Sequence, residues 1–244
     1  MSSAFVLGSE PELGRNLTYG LLDSLGRAIV TGRYENAPFP TEAELTKLHG
    51  VSRSVTREAV KMLTAKGLLS ARPRQGTVVQ PPANWNLFDP DVLRWTLERQ
   101  FSIDMLRHFN ELRLAIEPEA AALAASQGSP EQLDRISWGL ERLRDAADGA
   151  GHSLESDIDF HVAILRATNN PFYAQFRDVV ATALRTSIQV TNTISGRFGS
   201  FDDHAAVHDA IIARDGERAR MAMHKIIADV LALIATAEGA GNRN

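Results

Sequence analysis

Asp157 and His161 stand four residues apart within residues 153–168, where Leu154, Ile158, Val162 and Leu165 recur at helical spacing. Both polar residues fall on that apolar stripe, so both face whatever the helix packs against. An ionised carboxylate in an apolar interior is costly unless it is paired or bound to a cation. Asp-x-x-x-His offers an oxygen and an imidazole nitrogen one turn apart. That is a workable pair of ligands for a divalent metal, given a third from elsewhere. A buried Asp157–His161 hydrogen bond without metal fits the same pattern, and both readings stand. A further inward charge is Arg113. Across residues 103–125, Leu106, Asn110, Arg113, Ile116 or Glu117, and Ala120 share the inner face. A guanidinium there can hold a carboxylate ligand through two parallel bonds, or pair with Glu117 one turn along.

A different chemistry is written into Val51–Gln80, which holds six Lys/Arg against one acidic residue, Glu58. Arg53 and Arg57 are four apart and share one helical face. An Arg near the start of a helix lying in a DNA major groove can bond guanine O6 and N7 together. Such a pair is worth roughly 1–3 kcal/mol of base discrimination. Arg72, Arg74 and Gly76 lie at a turn and suit phosphate or minor-groove contact, because glycine lets the backbone come close. A solvated basic face on an ordinary small domain is the alternative.

The elements that must position these residues are mostly helical. Leu17–Thr31 has amphipathic spacing and stops at Gly32. Thr41 with Glu44 three residues on is a capping-box pattern for a short helix, Ala43–His49, ended by Gly50. Ser52 caps a third helix, from about Arg53 to Lys66, stopped by Gly67. Leu68–Ala71 and Thr77–Gln80 are strand-like and flank a hairpin tip. Helix, short helix, turn, helix and basic hairpin is the order of a winged helix-turn-helix, whose third helix enters the major groove. Beyond Pro81-Pro82, seven helices are expected over 89–100, 103–125, 130–147, 153–168, 171–194, 201–214 and 216–237, an antiparallel helical bundle. The expected organisation is a winged-helix domain over 1–80, a linker over 81–88, a helical domain over 89–238 and a flexible tail over 239–244. The fold class is mostly α with a small β-wing.

Composition narrows the function. The 244 residues carry 26 Lys/Arg and 30 Asp/Glu, a formal charge of −4. That total hides a division. Up to Gln80 there are 10 basic and 7 acidic residues, or +3; from Pro81 there are 16 and 23, or −7. Charge segregated between two halves points to two tasks. With no cysteine, disulfides, thiolate zinc sites and cysteine nucleophiles are excluded. No apolar run approaches the 18 or so residues that span a bilayer, and the N-terminus lacks signal-peptide character, so a soluble cytoplasmic protein is expected.

The segments Gly32-Arg33-Tyr34, Phe39-Pro40-Thr41-Glu42-Ala43-Glu44-Leu45, Gly50-Val51-Ser52-Arg53, Arg57-Glu58-Ala59-Val60, Lys66-Gly67-Leu68-Leu69 and Arg72-Pro73-Arg74-Gln75-Gly76-Thr77-Val78-Val79 together resemble the DNA-binding domain of GntR-family transcription regulators. The resemblance implies DNA contacts from Arg33, Ser52, Arg53, Thr56, Arg57, Arg72, Arg74 and Gly76. The chain departs from the pattern in lacking a Pro-Gly before Phe39-Pro40. It also has Ala43 where some relatives place another DNA-contacting Arg.

The second half resembles the helical FadR-type effector domain called FCD, through Glu111-Leu112-Arg113, Glu117-Pro118, Asp157 to His161, Asn170-Pro171, His204, Ala210-Ile211, Arg214-Asp215-Gly216, Ala219 and Met223. That resemblance implies His204 as the third metal ligand, with His208 a rival one turn on. The family's usual fourth ligand, a His of the last helix, is Ile226 here. His224 lies two residues earlier and about 200° around the helix, so it does not substitute. Three protein ligands remain, with water or effector oxygens completing the shell of zinc, nickel or manganese. The family holds acidic effectors through the Arg at position 113, with Asn110 and Glu117 beside it. Asn84–Trp95 resembles the same stretch in sugar-acid regulators of the family, so an aldonate is the expected effector. The implied protein is a homodimeric repressor on a pseudo-palindromic operator, without membrane contact. A metal-dependent enzyme built on Asp157, His161 and His204 is the alternative, as is a regulator answering a dicarboxylate or acyl-CoA.

Overall fold

The computed structural model describes residues 10–72, 76–99, 103–147, 153–185 and 200–241. The chain divides into two compact units, Met1–Gln100 and Phe101–Asn244.

The first unit contains α1 (Glu10–Val30), α2 (Glu42–His49), α3 (Arg53–Ala65), β1 (Leu69–Arg72), β2 (Gly76–Val79), a 3-10 turn over Pro82–Asn84, and α4 (Pro90–Arg99). The capping box forms as the sequence predicts: Thr41 Oγ1 accepts from Glu44 N at 3.3 Å, and Glu44 Oε2 accepts from Thr41 N at 2.8 Å. Gly50 ends α2 at φ 63°, a left-handed turn that a side chain would strain. Ser52 Oγ caps α3 by accepting from Val55 N at 3.3 Å. The two strands pair antiparallel, Leu69 opposite Val79 and Arg72 opposite Gly76. Leu21, Leu22, Leu25, Leu45, Ala59, Leu63 and Leu68 form the core beneath the three helices.

The segment after β2 is not a free linker. Trp85 Nε1 donates to Gln80 O at 2.9 Å, and Asn86 N donates to Lys66 O at 3.1 Å. Lys66 Nζ binds Asp89 Oδ2 at 2.7 Å and Asp91 Oδ2 at 2.9 Å. The expectation assigned residues from 89 onward to the helical domain. Instead α4 packs within the first unit, because Trp95 inserts into the core on the bare face of Gly26. A Cβ at Gly26 would lie 2.3 Å from Trp95 Cζ3. Asp23 ties the contact together. Its Oδ1 accepts from Trp95 Nε1 at 2.8 Å and from Arg94 Nη2 at 2.7 Å, and its Oδ2 from Arg27 Nε at 2.8 Å. Arg27 also pairs with Glu98.

The second unit is helical throughout its described residues: α5 (Ile103–Gln127), α6 (Pro130–Ala147), α7 (Ser153–Ala167), α8 (Pro171–Gln175), α9 over 177–185, α10 (Phe201–Ile212) and α11 (Gly216–Gly241). Its core runs from Ala120, Ala121 and Ala124 of α5 through Ile136, Phe160 and Ile164 to Val207, Met223 and Ile227. The single helix expected over 171–194 is interrupted at Phe176, where the backbone tightens into a turn with Phe176 N bonded to Tyr173 O at 3.0 Å. Residues 186–194 of that expectation lie outside the described residues. On α7 the deepest apolar positions are Ile158, Phe160, Ile164 and Leu165, so the inner face is centred further round than Leu154 and Val162 suggested.

The end of α5 is held from two other places. Asn169 Nδ2 donates to Gln127 O at 2.5 Å. Arg214 Nη1 donates to Ala125 O at 3.1 Å and Gly128 O at 2.9 Å. Arg214 is itself left-handed, at φ 60°, in the turn closing α10, where Asp215 N bonds Ala210 O and Arg214 N bonds Ile211 O.

Candidate functional site

Two helices of the second unit, α7 and α10, bring Asp157, His161 and His204 together. Their ligand atoms lie within 4.8 Å of one another, and all three residues are buried. The wheel positions 157 and 161 place both side chains on the inner face of α7, and α10 presents His204 from its first turn. His204 Nδ1 is 3.0 Å from Ser200 O, so this nitrogen carries the proton and donates to the carbonyl. The remaining lone pair sits on Nε2. That atom is 3.0 Å from Asp157 Oδ1 and makes no hydrogen bond of normal geometry. His161 has the same arrangement. Its Nδ1 is 2.5 Å from Glu117 Oε2, and its Nε2 turns toward Asp157 Oδ2 at 3.9 Å. The hydrogen-bonded Asp157–His161 pair allowed by the sequence is not made, since His161 bonds Glu117 instead.

Two imidazole nitrogens and a carboxylate oxygen thus converge, each an acceptor, with one nitrogen orphaned in the interior. This donor set would fit a divalent cation. Each ring also has an acceptor behind it: a carboxylate of Glu117 at His161 and the Ser200 carbonyl at His204. Burial alone would raise the Asp157 carboxyl, but His204 and the neighbouring positive groups take it below its ordinary value. Burial likewise works against charge on His204, and the Asp157 carboxylate more than offsets it, raising the pKa.

Arg113 and Glu117 extend the cluster along α5. Arg113 Nε donates to Glu117 Oε1 at 2.5 Å and Nη2 to Oε2 at 3.4 Å. Arg113 Nη1 donates to Asn110 Oδ1 at 3.2 Å, and Asn110 Nδ2 to Leu106 O at 2.8 Å. The salt bridge that the sequence offered as an alternative is therefore formed. Burial opposes the Glu117 charge, but Arg113 and then His161 hold its carboxyl down to about 2. Glu117, rather than Ile116, is the buried residue of the pair that shared this face. The Glu117–His161 bond was missed because it joins helices 44 residues apart and no local spacing signals it.

The rival ligand His208 and the last-helix positions have other surroundings. His208 bonds Ser137 Oγ at 2.9 Å and Asp209 Oδ1 at 3.0 Å. His224 is exposed, and Ile226 is buried in the apolar core.

On the first unit, Arg53 and Arg57 are exposed on α3, as are Ser52, Arg33, Arg72 and Gly76. Arg74 lies outside the described residues. Thr56 is corrected: it is fully buried, and its hydroxyl lies 3.0 Å from Thr46 Oγ1 and 3.3 Å from Ser52 O. It stitches α2 to α3 and does not reach a base. Lys66, counted in the basic run, is committed to Asp89 and Asp91.

Comparison with known proteins matches the same two parts. Residues 19–79 match the family model for bacterial regulatory proteins of the gntR family, and residues 109–229 match the FCD domain. The chain is 34% identical over 216 residues to the uncharacterized HTH-type transcriptional regulator YieP of Escherichia coli K12, covering 87% of the chain and 93% of the relative. It is 31% identical over 217 residues to the galactonate operon transcriptional repressor of the same strain, covering 87% and 94%. Among solved structures, Lar, which controls the Listeria monocytogenes agr system, shares the fold with a TM-score of 0.58 at 17% identity, over 96% of this chain and 99% of that one. McbR/YncC of E. coli does so with a TM-score of 0.53 at 19% identity, over 91% and 98%. These comparisons support a transcription regulator and give no support to the enzyme alternative. The chain belongs to the GntR family of bacterial regulatory proteins and carries the FCD domain of that family's helical branch.

Proposed function

We propose that this regulator represses transcription as a homodimer on a pseudo-palindromic operator and is released by a small carboxylate of the sugar-acid class, such as an aldonate. The observation that carries the reading is the buried polar set of the second unit. Asn110, Arg113, Glu117, Asp157, His161 and His204 are all buried in a bundle whose remaining interior is almost wholly apolar. Burying charged groups is costly unless each is paired or bound, and His204 Nε2 is left with no hydrogen bond. Arg113 keeps one N–H on each terminal nitrogen beyond its bonds to Glu117 and Asn110, a fork suited to a carboxylate. Asp157, His161 and His204 would hold a zinc, nickel or manganese ion, which would supply a positive centre for the anion's remaining oxygens. The 31% identity to a galactonate repressor favours an aldonate over a dicarboxylate or an acyl-CoA.

On the DNA side, Arg53 and Arg57 read bases while Arg33, Arg72, Arg74 and the Gly76 backbone hold phosphates or the minor groove. Release requires that the effector bind the off-DNA state better than the DNA-bound one. A thermal-shift screen of sugar acids and other small carboxylates tests the reading. A stabilising aldonate whose effect disappears in Arg113→Ala, and which lowers operator affinity, is the expected result. Stabilisation only by acyl-CoA, or by no carboxylate at all, would overturn it.

A further inference from the structure

Glu117 touches both halves of the buried cluster. One oxygen, Oε1, accepts from Arg113 Nε at 2.5 Å, and the other, Oε2, faces His161 Nδ1 at 2.5 Å. His161 can present Nε2 toward Asp157 as a lone pair only if its proton resides on Nδ1. An acceptor at Nδ1 fixes that tautomer, and a negatively charged one also makes Nε2 more basic. The carboxylate can stay charged in the interior because Arg113 lies against it. Arg113 is itself held by Asn110, whose amide is anchored on the Leu106 carbonyl. The four residues form one connected chain, Leu106 O, Asn110, Arg113 and Glu117, ending on an imidazole of the three-donor set. His204 lacks such a chain and has only the Ser200 carbonyl behind it.

We propose that Glu117 is the positioning residue of the metal site: it sets the His161 tautomer and ring orientation, and Arg113 holds it in place for that task. The inference rests on the reading of Asp157, His161 and His204 as a metal site. It adds that the residue expected to grip the effector's carboxylate and the carboxylate that orients a metal ligand are bonded to each other. Anion and cation binding in this domain therefore share one side chain.

The test is a competition titration of the full chain, freed of metal, with Zn2+ against a chromophoric chelator. Wild type is compared with Glu117→Gln, which keeps shape and removes charge. A second variant, Glu117→Asp, keeps charge but falls one methylene short of His161. Both variants are expected to bind Zn2+ about 10–100-fold more weakly, the usual effect of removing an outer-shell partner. Long-range 15N–1H NMR of the metal-free chain supplies a readout that a merely structural role would not move. Wild type should show His161 protonated on Nδ1, and the variants should show a mixture of tautomers. Zn2+ affinity within threefold of wild type in both variants, with the tautomer unchanged, would overturn the positioning role and leave the metal site standing. Failure of the wild type to bind Zn2+ would overturn the metal site itself, and this inference with it.

Discussion

If Arg53 and Arg57 read bases and Arg72 holds a phosphate, as proposed, their losses should differ, because a base edge carries sequence information and a phosphate does not. Arg53→Ala or Arg57→Ala is expected to lower affinity for the operator by about 1–3 kcal/mol and to relax preference at one position of each half-site. Arg72→Ala should weaken operator and unrelated DNA alike. Binding measured against a panel of single-base operator variants distinguishes these outcomes, and equal loss of specificity in all three would break the assignment. Asp23 gives a second residue-scale expectation. Burial would raise its carboxyl, but hydrogen bonds from Trp95, Arg27 and Arg94 hold it at about 2, below the ordinary 3.8. Because the folded value is the lower one, the stabilisation is full above about pH 4 and is lost as pH falls from there toward 2. Asp23→Asn should cost about 1 kcal/mol at neutral pH, in keeping with its partly exposed position, and flatten the acid limb of the unfolding curve. Trp fluorescence across pH 2–7 checks both.

At the scale of elements, α4 belongs with the winged helix. A chain ended after Arg99 is expected to melt well above one ended after Gln80, because the shorter chain uncovers the core that Trp95 fills. Within the full chain, Gly26→Ala should destabilise by about 1–3 kcal/mol through overpacking against the Trp95 ring. Differential scanning calorimetry measures each. The sequence made the capping residues Thr41, Glu44, Gly50 and Ser52 legible, since caps and turns are local chemistry, and α2 and α3 follow it closely, whereas α1 begins seven residues before the expected Leu17. It also placed Asp157 and His161 on one inner face, because helical spacing alone settles that. Other contacts had no local signature. Gly26 beneath Trp95 looks like any glycine in a helical pattern until a partner 69 positions away is known. Arg214 entered the sequence reading only through the effector-domain resemblance. In fact its guanidinium closes the end of α5 and offsets the roughly 1 kcal/mol that a left-handed side-chain residue gives up. Arg214→Ala should therefore lower the stability of the second unit by about 1–2 kcal/mol.

At the scale of the molecule, the −4 total divides into a first segment at +3 and a remainder at −7. DNA attraction therefore rests on a few cations in the first unit. Each phosphate neutralised steepens the logarithmic salt dependence by about 0.9. Arg72→Ala should reduce that slope by about one, whereas Lys66→Ala should leave it unchanged and lower the melting temperature instead. A fall in slope for Lys66→Ala would mean that its pairs with Asp89 and Asp91 open on DNA. The same clamp has a mechanical meaning. Lys66 directly follows α3, and Asp91 lies in the first turn of α4. Within the first unit, α4 is thus keyed to the end of α3 by ion pairs and to α1 by a wedged indole, like a bolt held at both ends.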